Sequence, residues 1–153
     1  LFQIGDNIVY PMQGAGIIKA IEEKEISGEK QQYYVIKMSA SNMELMIPAG
    51  RILNSNIRPV TDITALAHII DIFQHGESDR LLTWKQRYKL NTDKIKTGKM
   101  QEGAEVVRDL MRIQKEKALN ASEKKMLDNA HEFLISELGL IEGITENQIK
   151  SFC

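Results

Sequence analysis

The sequence contains very little cysteine, proline or aromatic side chain. One cysteine, Cys153, stands among 153 residues, with three prolines, one tryptophan and 6% aromatic residues in all. A single cysteine excludes an internal disulfide framework and suits a reducing compartment. No uncharged stretch approaches the roughly 20 residues of a membrane-spanning helix, and no basic segment followed by an apolar run marks a secretory signal. We therefore expect a cytoplasmic protein that makes no contact with a membrane.

Residue patterns typical of enzymes are also lacking. The three histidines, His68, His75 and His131, lie on different segments, and no HExxH motif or Cys/His cluster occurs. We therefore expect neither a metal site nor a cofactor. No GxSxG motif is present, and Cys153 is a poor candidate for a nucleophile. Gly14-Ala15-Gly16 lacks the third glycine of a dinucleotide loop and is interpreted as a turn between strands. The sequence predicts a protein without catalytic residues, not an enzyme.

Neither sign of charge is in excess over the whole chain. The 20 Lys and Arg residues and the 21 Asp and Glu residues give a net charge of -1. That total by itself argues against nucleic-acid binding. Residues 80–125, however, hold 13 basic and six acidic residues, a local net charge of +7, whereas residues 61–79 hold four acids and no Lys or Arg. One strongly basic block therefore lies inside a neutral average.

The apolar pattern divides the chain into two parts near residue 60. Short β-branched and aromatic runs separated by turn residues fill the first part, and they predict about five strands in a small, strongly bent β-barrel. Ser27-Gly28-Glu29 predicts a hairpin tip. After Pro59 the apolar residues recur at helical spacing. The predicted fold class is α+β, with an N-terminal β domain over residues 1–60 and a C-terminal all-α helical bundle over residues 61–153.

Capping residues predict five helices in the second part. Asp62 suits the N-cap of the first helix, and Ser78 is the candidate cap of a second helix that runs to about Lys96. A third helix is predicted from about Gln101 to Lys117. Two capping boxes complete the set, formed by Asn120 with Glu123 for the fourth helix and by Thr145 with Gln148 for a short last one.

The basic block is centred on Trp84, the only tryptophan. Cations on the second helix flank it, and Arg108, Arg112 and Lys115 stand four and three residues apart, on the side of the third helix opposite its apolar face. An ordinary charged helical surface remains open as an interpretation. The other interpretation is a nucleic-acid interface, in which cations contact phosphates and an aromatic ring wedges against a base step. The pattern favours phosphate contacts and low sequence specificity. The candidate DNA-binding residues are Trp84, Lys85, Arg87, Tyr88, Lys89, Arg108, Arg112, Lys124 and Lys125.

Several segments resemble the CarD/CdnL family of bacterial transcription regulators. They are residues 2–11 followed by Gly14-Ala15-Gly16, residues 84–89, and residues 105–110 continued by residues 122–127. The segments follow the family's order, and the similarity runs from about residue 2 to about residue 141. The first 60 residues alone also resemble the RNA-polymerase-interacting module of transcription-repair coupling factors, but that likeness does not account for the helical half.

The resemblance implies two interfaces. A Tudor-like β domain would bind the β subunit of RNA polymerase, largely through an exposed strand edge, which is a ready site for strand addition. The residues that match contact positions of the family are Lys24, Ile26, Glu44, Met46 and Ile47. At Met46 several relatives carry a basic residue. The helical domain would grip promoter DNA at the upstream edge of the transcription bubble, with Trp84 as a minor-groove wedge that stabilises the open complex.

Two functions from different classes remain in view. The leading hypothesis is a polymerase-bound transcription regulator. The alternative is a protein-interaction adaptor whose basic helices bind an acidic protein partner. We expect a monomer, and a dimer formed through an edge strand or by domain swapping is the other possibility.

Overall fold

A computed structural model of the chain describes residues 2–153. Its first part is an antiparallel five-stranded sheet with the strand order β4-β3-β2-β1-β5. The strands are β1 (Asn7–Tyr10), β2 (Gly14–Ile26), β3 (Glu29–Met38), β4 (Glu44–Pro48) and β5 (Arg58–Pro59), with a 3₁₀ helix (Ala49–Asn54) between β4 and β5. The helices that follow are α1 (Ile63–His75), α2 (Trp84–Lys96), α3 (Met100–Glu116), α4 (Ala121–Leu138) and α5 (Glu146–Lys150). The predicted α+β class is confirmed.

The longest hairpin of the sheet joins β2 to β3 through the predicted tip. Ser27 and Gly28 both have positive φ angles, 54° and 82°. Two consecutive positive φ angles are the signature of the type I′ turn that matches the twist of a hairpin. The strands pair from Ile26 opposite Glu29 to Gly16 opposite Met38, with a bulge between Ile18 and Ala20 that bends β2.

The expected turn at Gly14-Ala15-Gly16 is wrong, because these residues begin β2 and pair with β1. The chain reverses just before them, at Met12, whose φ angle is 69°. Gly16 serves close packing instead. A Cβ atom there would lie 2.7 Å from the Lys37 carbonyl oxygen and 2.9 Å from Cγ2 of Ile36. The glycine therefore allows β2 and β3 to approach, which a sequence pattern cannot distinguish from a turn.

Each part of the chain has its own apolar core. Ile8, Ile18 and Ile36 are fully buried in the sheet, and Leu66, Val107 and Leu110 are fully buried among the helices. The caps predicted at Asp62, Asn120 and Thr145 are confirmed, since each side chain accepts a hydrogen bond from the backbone N–H three residues later. Apolar periodicity and caps therefore predicted most of the helical part.

Ser78 is not the cap of the second helix. α2 begins six residues later, behind Thr83, whose hydroxyl and the Gln86 side chain form a capping box. The Ser78 hydroxyl donates to Asp109 on α3 and accepts a hydrogen bond of 2.8 Å from Arg112. The connection between α1 and α2 is therefore held against α3, and Trp84 becomes the first residue of α2.

One guanidinium group joins the sheet to the helices. Arg58 on β5 donates to both carboxylate oxygens of Glu137 on α4, at 2.8 and 2.6 Å, and its Nε donates to the Gly98 carbonyl at 2.9 Å. The Glu137 carboxylate also accepts the Thr61 N–H at 2.9 Å. Glu137 is 3% exposed. This buried pair fixes α4 against the sheet at the connection in which the predicted domain boundary falls.

Candidate functional site

Trp84 stands at the start of α2 with half of its surface in water. Its exposed fraction is 49%. The capping box fixes the backbone around it, since the Thr83 N–H donates to Gln86 Oε1 at 3.0 Å and the Gln86 N–H donates to Thr83 Oγ1 at 3.3 Å. Leu81, three residues before Trp84, is 94% exposed. A large apolar side chain is thus presented to solvent on a rigid helix end, which suits a wedge.

Four of the predicted cations are exposed. Lys85 and Lys89 lie on α2, and Lys124 and Lys125 lie in the first turn of α4. Lys89 contacts Asp93 one turn later, at 3.0 Å, in a pair whose side chains are 76% and 53% exposed. Such an exposed pair is weak, so Lys89 can exchange its partner for a phosphate.

The first turns of α2 and α4 are brought together by an ion pair that the sequence did not predict. Arg87 donates from Nε and Nη2 to the two carboxylate oxygens of Glu123, at 2.7 and 2.8 Å. The side chains are only 14% and 2% exposed. The hydrogen bond to Glu123 raises the pKa of the Arg87 guanidinium above its ordinary value. The pair therefore links the helix that carries Trp84 and Lys85 to the helix that carries Lys124 and Lys125.

Arg87, one of the predicted DNA-binding residues, is thus largely buried and bound to Glu123. The bidentate pair consumes two of its nitrogens and fixes its planar group. Glu123 likewise does not close the predicted capping box with Asn120. The Asn120 side chain caps the helix, accepting the Glu123 N–H at 2.8 Å, while the Glu123 carboxylate turns to Arg87. Glu123 Oε1 also accepts from the Asn120 side-chain amide at 3.3 Å, so the carboxylate bonds to the side chain of Asn120 and not to its backbone N–H.

The prediction that Arg108 lies on an exposed face is wrong. Arg108 is 5% exposed, and its guanidinium donates to the Ile72 and Glu77 carbonyls, both at 3.1 Å, and to Asp109 at 2.9 Å. The end of α1 and the connection after it pack over this side of α3. The carbonyls there need donors, as the last carbonyls of any helix do. Helical spacing alone does not show that a second element covers this face.

Arg112 and Tyr88 are also tied into the fold. Arg112 is half-buried and donates from Nη1 to the Gly76 carbonyl at 2.7 Å and to Ser78. Tyr88 is half-buried and packs against the helical core. The structure therefore leaves five of the nine candidates exposed around the helix ends: Trp84, Lys85, Lys89, Lys124 and Lys125.

A second candidate surface lies on the sheet, where β4 is an edge strand. Within the described residues β4 pairs with β3 alone, from Tyr33 opposite Pro48 to Lys37 opposite Glu44. Glu44 and Met46 are exposed on this edge. Ile47 is 6% exposed and belongs to the core of the sheet, so its side chain is not on the surface. Alternation along the strand turns Ile47 inward and Met46 outward.

Lys24 and Ile26 lie apart from Glu44 and Met46. They are exposed on the end of the β2–β3 hairpin that extends beyond β4, because Lys24 pairs with Gln31 and β4 reaches only to Tyr33. The five polymerase-contact candidates therefore lie in three places. Lys24 and Ile26 form a hairpin pair, Glu44 and Met46 form an edge pair, and Ile47 lies in the core.

The edge pair has neighbours that sequence reasoning missed. Lys19 on β2 reaches Glu44 at 2.5 Å. This hydrogen bond holds the pKa of Glu44 below its ordinary value and raises that of Lys19. Ile17, 38% exposed, occupies the same rung as Lys37 and Glu44. The sequence feature that could have revealed Ile17 is the run Gly16-Ile17-Ile18-Lys19, because alternation in a strand turns one of two successive isoleucines outward.

Within residues 2–153 the structure has no helix that is long and apolar enough to cross a membrane. The same residues contain no group of three or more His, Cys, Asp and Glu side chains arranged to hold a metal ion.

Comparisons with known proteins cover nearly the whole chain. Residues 2–61 match the family model described as the CarD-like/TRCF RID domain, and residues 68–153 match the one described as the CarD C-terminal domain. "Putative transcription factor YdeB" of Bacillus subtilis (strain 168) is 81% identical over 152 residues, which are 99% of each chain. The solution NMR structure of the 72-residue N-terminal domain of Myxococcus xanthus CarD is 31% identical over 38% of this chain and 77% of that one, with a TM-score of 0.33.

Proposed function

The chain belongs to the CarD family of transcription factors, and from this premise we propose that it stabilises the open promoter complex from a position on RNA polymerase. The sheet binds the polymerase β subunit, and the ends of α2 and α4 contact promoter DNA at the upstream edge of the bubble. The observation that carries the proposal is Trp84, half exposed on the capped end of a helix that also carries two exposed lysines and is tied to the first turn of α4, which carries two more.

The mechanism we propose has no catalytic step. The protein stabilises the melted DNA by binding it. Lys85, Lys89, Lys124 and Lys125 contact phosphates, which gives affinity without reading sequence. Trp84 inserts against a base step and opposes re-closure of the melted DNA. A weak grip on DNA is sufficient, because binding to polymerase supplies a high effective concentration. In this role the protein acts in the cytoplasm, where polymerase transcribes.

Two predicted cations take a different part in this mechanism. Arg87 is bound to Glu123, and Arg108 is bound to the end of α1. They position the DNA-contacting helix ends. The number of phosphates neutralised is therefore smaller than the local charge of +7 in residues 80–125 suggests, and the slope of affinity against salt is correspondingly shallower.

We expect Trp84→Ala to shorten the lifetime of the open complex about tenfold. That change corresponds to about 1.4 kcal/mol and lies within the about 1–3 kcal/mol by which an aromatic ring stabilises a stacked base. The measurement is the dissociation rate of polymerase–promoter complexes after addition of a competitor, with and without the full chain. An unchanged lifetime contradicts the wedge role.

Trp84→Phe is the matched variant, because it keeps an apolar ring at the same helix end and should retain part of the effect. Both variants should bind polymerase as the unmodified protein does. If neither DNA contact nor lifetime changes across a salt series, the adaptor that binds an acidic protein becomes the better explanation.

We expect Lys24→Glu to weaken binding to the polymerase β subunit about tenfold, since reversing a charge replaces an attraction with a repulsion. Lys30→Glu is the matched control, because Lys30 lies on the same hairpin and alternation places it on the other face. Co-elution and titration with the isolated polymerase lobe measure both. Equal binding by the two variants argues against this face of the hairpin, and Met46→Glu then tests the edge pair.

A further inference from the structure

Gly98, in the turn between α2 and α3, lies directly against the proline that follows β1. Its φ angle is 72°. A Cβ atom added there would lie 2.6 Å from Cγ and 2.9 Å from Cβ of Pro11. The pyrrolidine ring of Pro11 is closed onto its own backbone, so it cannot swing aside as a flexible side chain does. Both the backbone angle and the lack of space therefore require glycine at this position.

The carbonyl group of the same glycine is bound to the sheet. Arg58 on β5 donates from Nε to the Gly98 carbonyl oxygen at 2.9 Å, while its Nη1 and Nη2 atoms donate to Glu137. Gly98 comes two residues after the end of α2, and Glu137 is the last residue but one of α4. One guanidinium group on the sheet therefore fixes the C-terminal ends of the two helices that carry the candidate DNA-contacting lysines.

The N-terminal ends of these two helices are joined to each other by the buried pair of Arg87 with Glu123. α2 and α4 are thus linked near Trp84 and attached to the sheet at their opposite ends. The 13 residues of α2 span about 20 Å at a rise of about 1.5 Å per residue. A tilt of about 10° at Gly98 would move Trp84 by about 3 Å, which is close to a full contact distance between stacked atoms.

We propose that Gly98 is a positioning residue, whose contacts with Pro11 and Arg58 set the place of Trp84 relative to the sheet. The inference rests on the proposed function, in which the sheet binds polymerase and Trp84 acts on the DNA of the same complex. Because the sheet is then fixed to polymerase, a displaced helix end would put the ring beside the base step and not against it. Gly98 itself contacts neither polymerase nor DNA in this mechanism.

Gly98→Ala tests the placement of α2 without any polymerase. Spin labels are attached at Lys37→Cys on β3 and Lys85→Cys on α2, two exposed positions, in a chain that also carries Cys153→Ser. Pulsed electron paramagnetic resonance measures the distance between the labels. We expect the mean distance to shift, or its distribution to broaden, by about 2–4 Å, because the added methyl group meets the Pro11 ring and tilts the helix.

Gly143→Ala is the matched control for backbone strain. Gly143 also has a positive φ angle, 81°, but nothing lies within 4 Å of a Cβ atom built there. Both variants should lower the melting temperature, since alanine is strained at such angles, and only Gly98→Ala should change the distance between the labels. An unchanged distance in folded Gly98→Ala overturns the proposal.

Arg58→Lys replaces Gly98→Ala as the test if the alanine variant does not fold. It keeps a cation beside Glu137 but removes the Nε donor to the Gly98 carbonyl. The distribution of distances between the labels should broaden relative to that of the unmodified chain. A distribution equal to that of the unmodified chain then overturns the proposal.

The lifetime of the open complex tests the consequence for function. We expect Gly98→Ala to shorten it by up to about tenfold, the loss expected of Trp84→Ala, with binding to the isolated polymerase lobe unchanged. Because Gly98 acts through Trp84, the two substitutions together should shorten the lifetime no further than Trp84→Ala alone. Where Trp84→Ala shortens the lifetime, additive losses contradict the positioning role, and so does a Gly98→Ala lifetime equal to that of Gly143→Ala. If the distance changes but even Trp84→Ala leaves the lifetime unchanged, the proposed function fails and the placement of Trp84 by Gly98 stands.

Discussion

Arg58→Ala is expected to lower the free energy of unfolding by about 3–5 kcal/mol, the usual cost of removing one partner from a buried ion pair. The Glu137 side chain is 5% exposed and would keep only the Thr61 N–H as a partner in its place. The Gly98 carbonyl would lose its donor as well. Since the pair joins β5 to α4, contact between the sheet and the helices should weaken. Urea unfolding followed by circular dichroism and by the fluorescence of the single tryptophan measures the change.

Replacing both partners distinguishes the cost of losing the contact from the cost of leaving a buried carboxylate unpaired. Arg58→Met combined with Glu137→Leu should recover part of the loss, because no unpaired carboxylate remains in the interior. Arg80→Ala is the matched control, since its pair with Glu116 has side chains that are 75% and 65% exposed. It should cost no more than about 1 kcal/mol. If Arg58→Ala costs no more than Arg80→Ala, the pair does not hold the two parts together.

Arg87→Met should cost about 3 kcal/mol, because it leaves the 2% exposed Glu123 carboxylate without its cation. We place the loss at the lower end of the range for buried pairs, since Glu123 lies in the first turn of α4, where the helix dipole stabilises a negative charge. Chemical unfolding measures the loss. Lys89→Met is the matched control on the same helix, and its exposed pair with Asp93 should be worth about 0.5 kcal/mol or less.

The same variant separates a positioning role for Arg87 from a DNA contact. At a temperature where Arg87→Met is fully folded, the slope of DNA affinity against salt should equal that of the unmodified chain. Lys85→Met should reduce this slope by about one phosphate contact. A reduced slope for Arg87→Met would restore the interpretation of this residue as a DNA ligand.

Much of the fold could be predicted because it depends on patterns within short stretches of chain. Alternation predicted strands, helical spacing predicted helices, and Asp62, Asn120 and Thr145 each cap a helix by binding a backbone N–H only three residues away. The hairpin tip at Ser27 and Gly28 is also determined locally, since few residue types adopt positive φ angles. Trp84 and the basic block could be found for the same reason, because composition and charge are properties of the sequence itself.

The errors at Arg87, Arg108 and Ser78 concern partners that are distant in sequence. Arg87 meets Glu123 and Arg108 meets the Ile72 carbonyl, each across 36 residues. A face drawn on an isolated helix cannot show which other element covers it. Ser78 resembles a helix cap in the sequence, because nothing near it in the chain shows that Asp109 and Arg112 bind its hydroxyl.

The sequence by itself determined the order of strands and helices, three of the helix caps, the tryptophan and the charge block, and through its motifs the family. Only the tertiary structure decided which charges stay in water. Burying a charge without a partner is costly. The packed helices therefore draw Arg58, Arg87, Arg108 and Arg112 into contacts with carboxylates and helix-end carbonyls. Lys85, Lys89, Lys124 and Lys125 remain exposed on the N-terminal parts of α2 and α4.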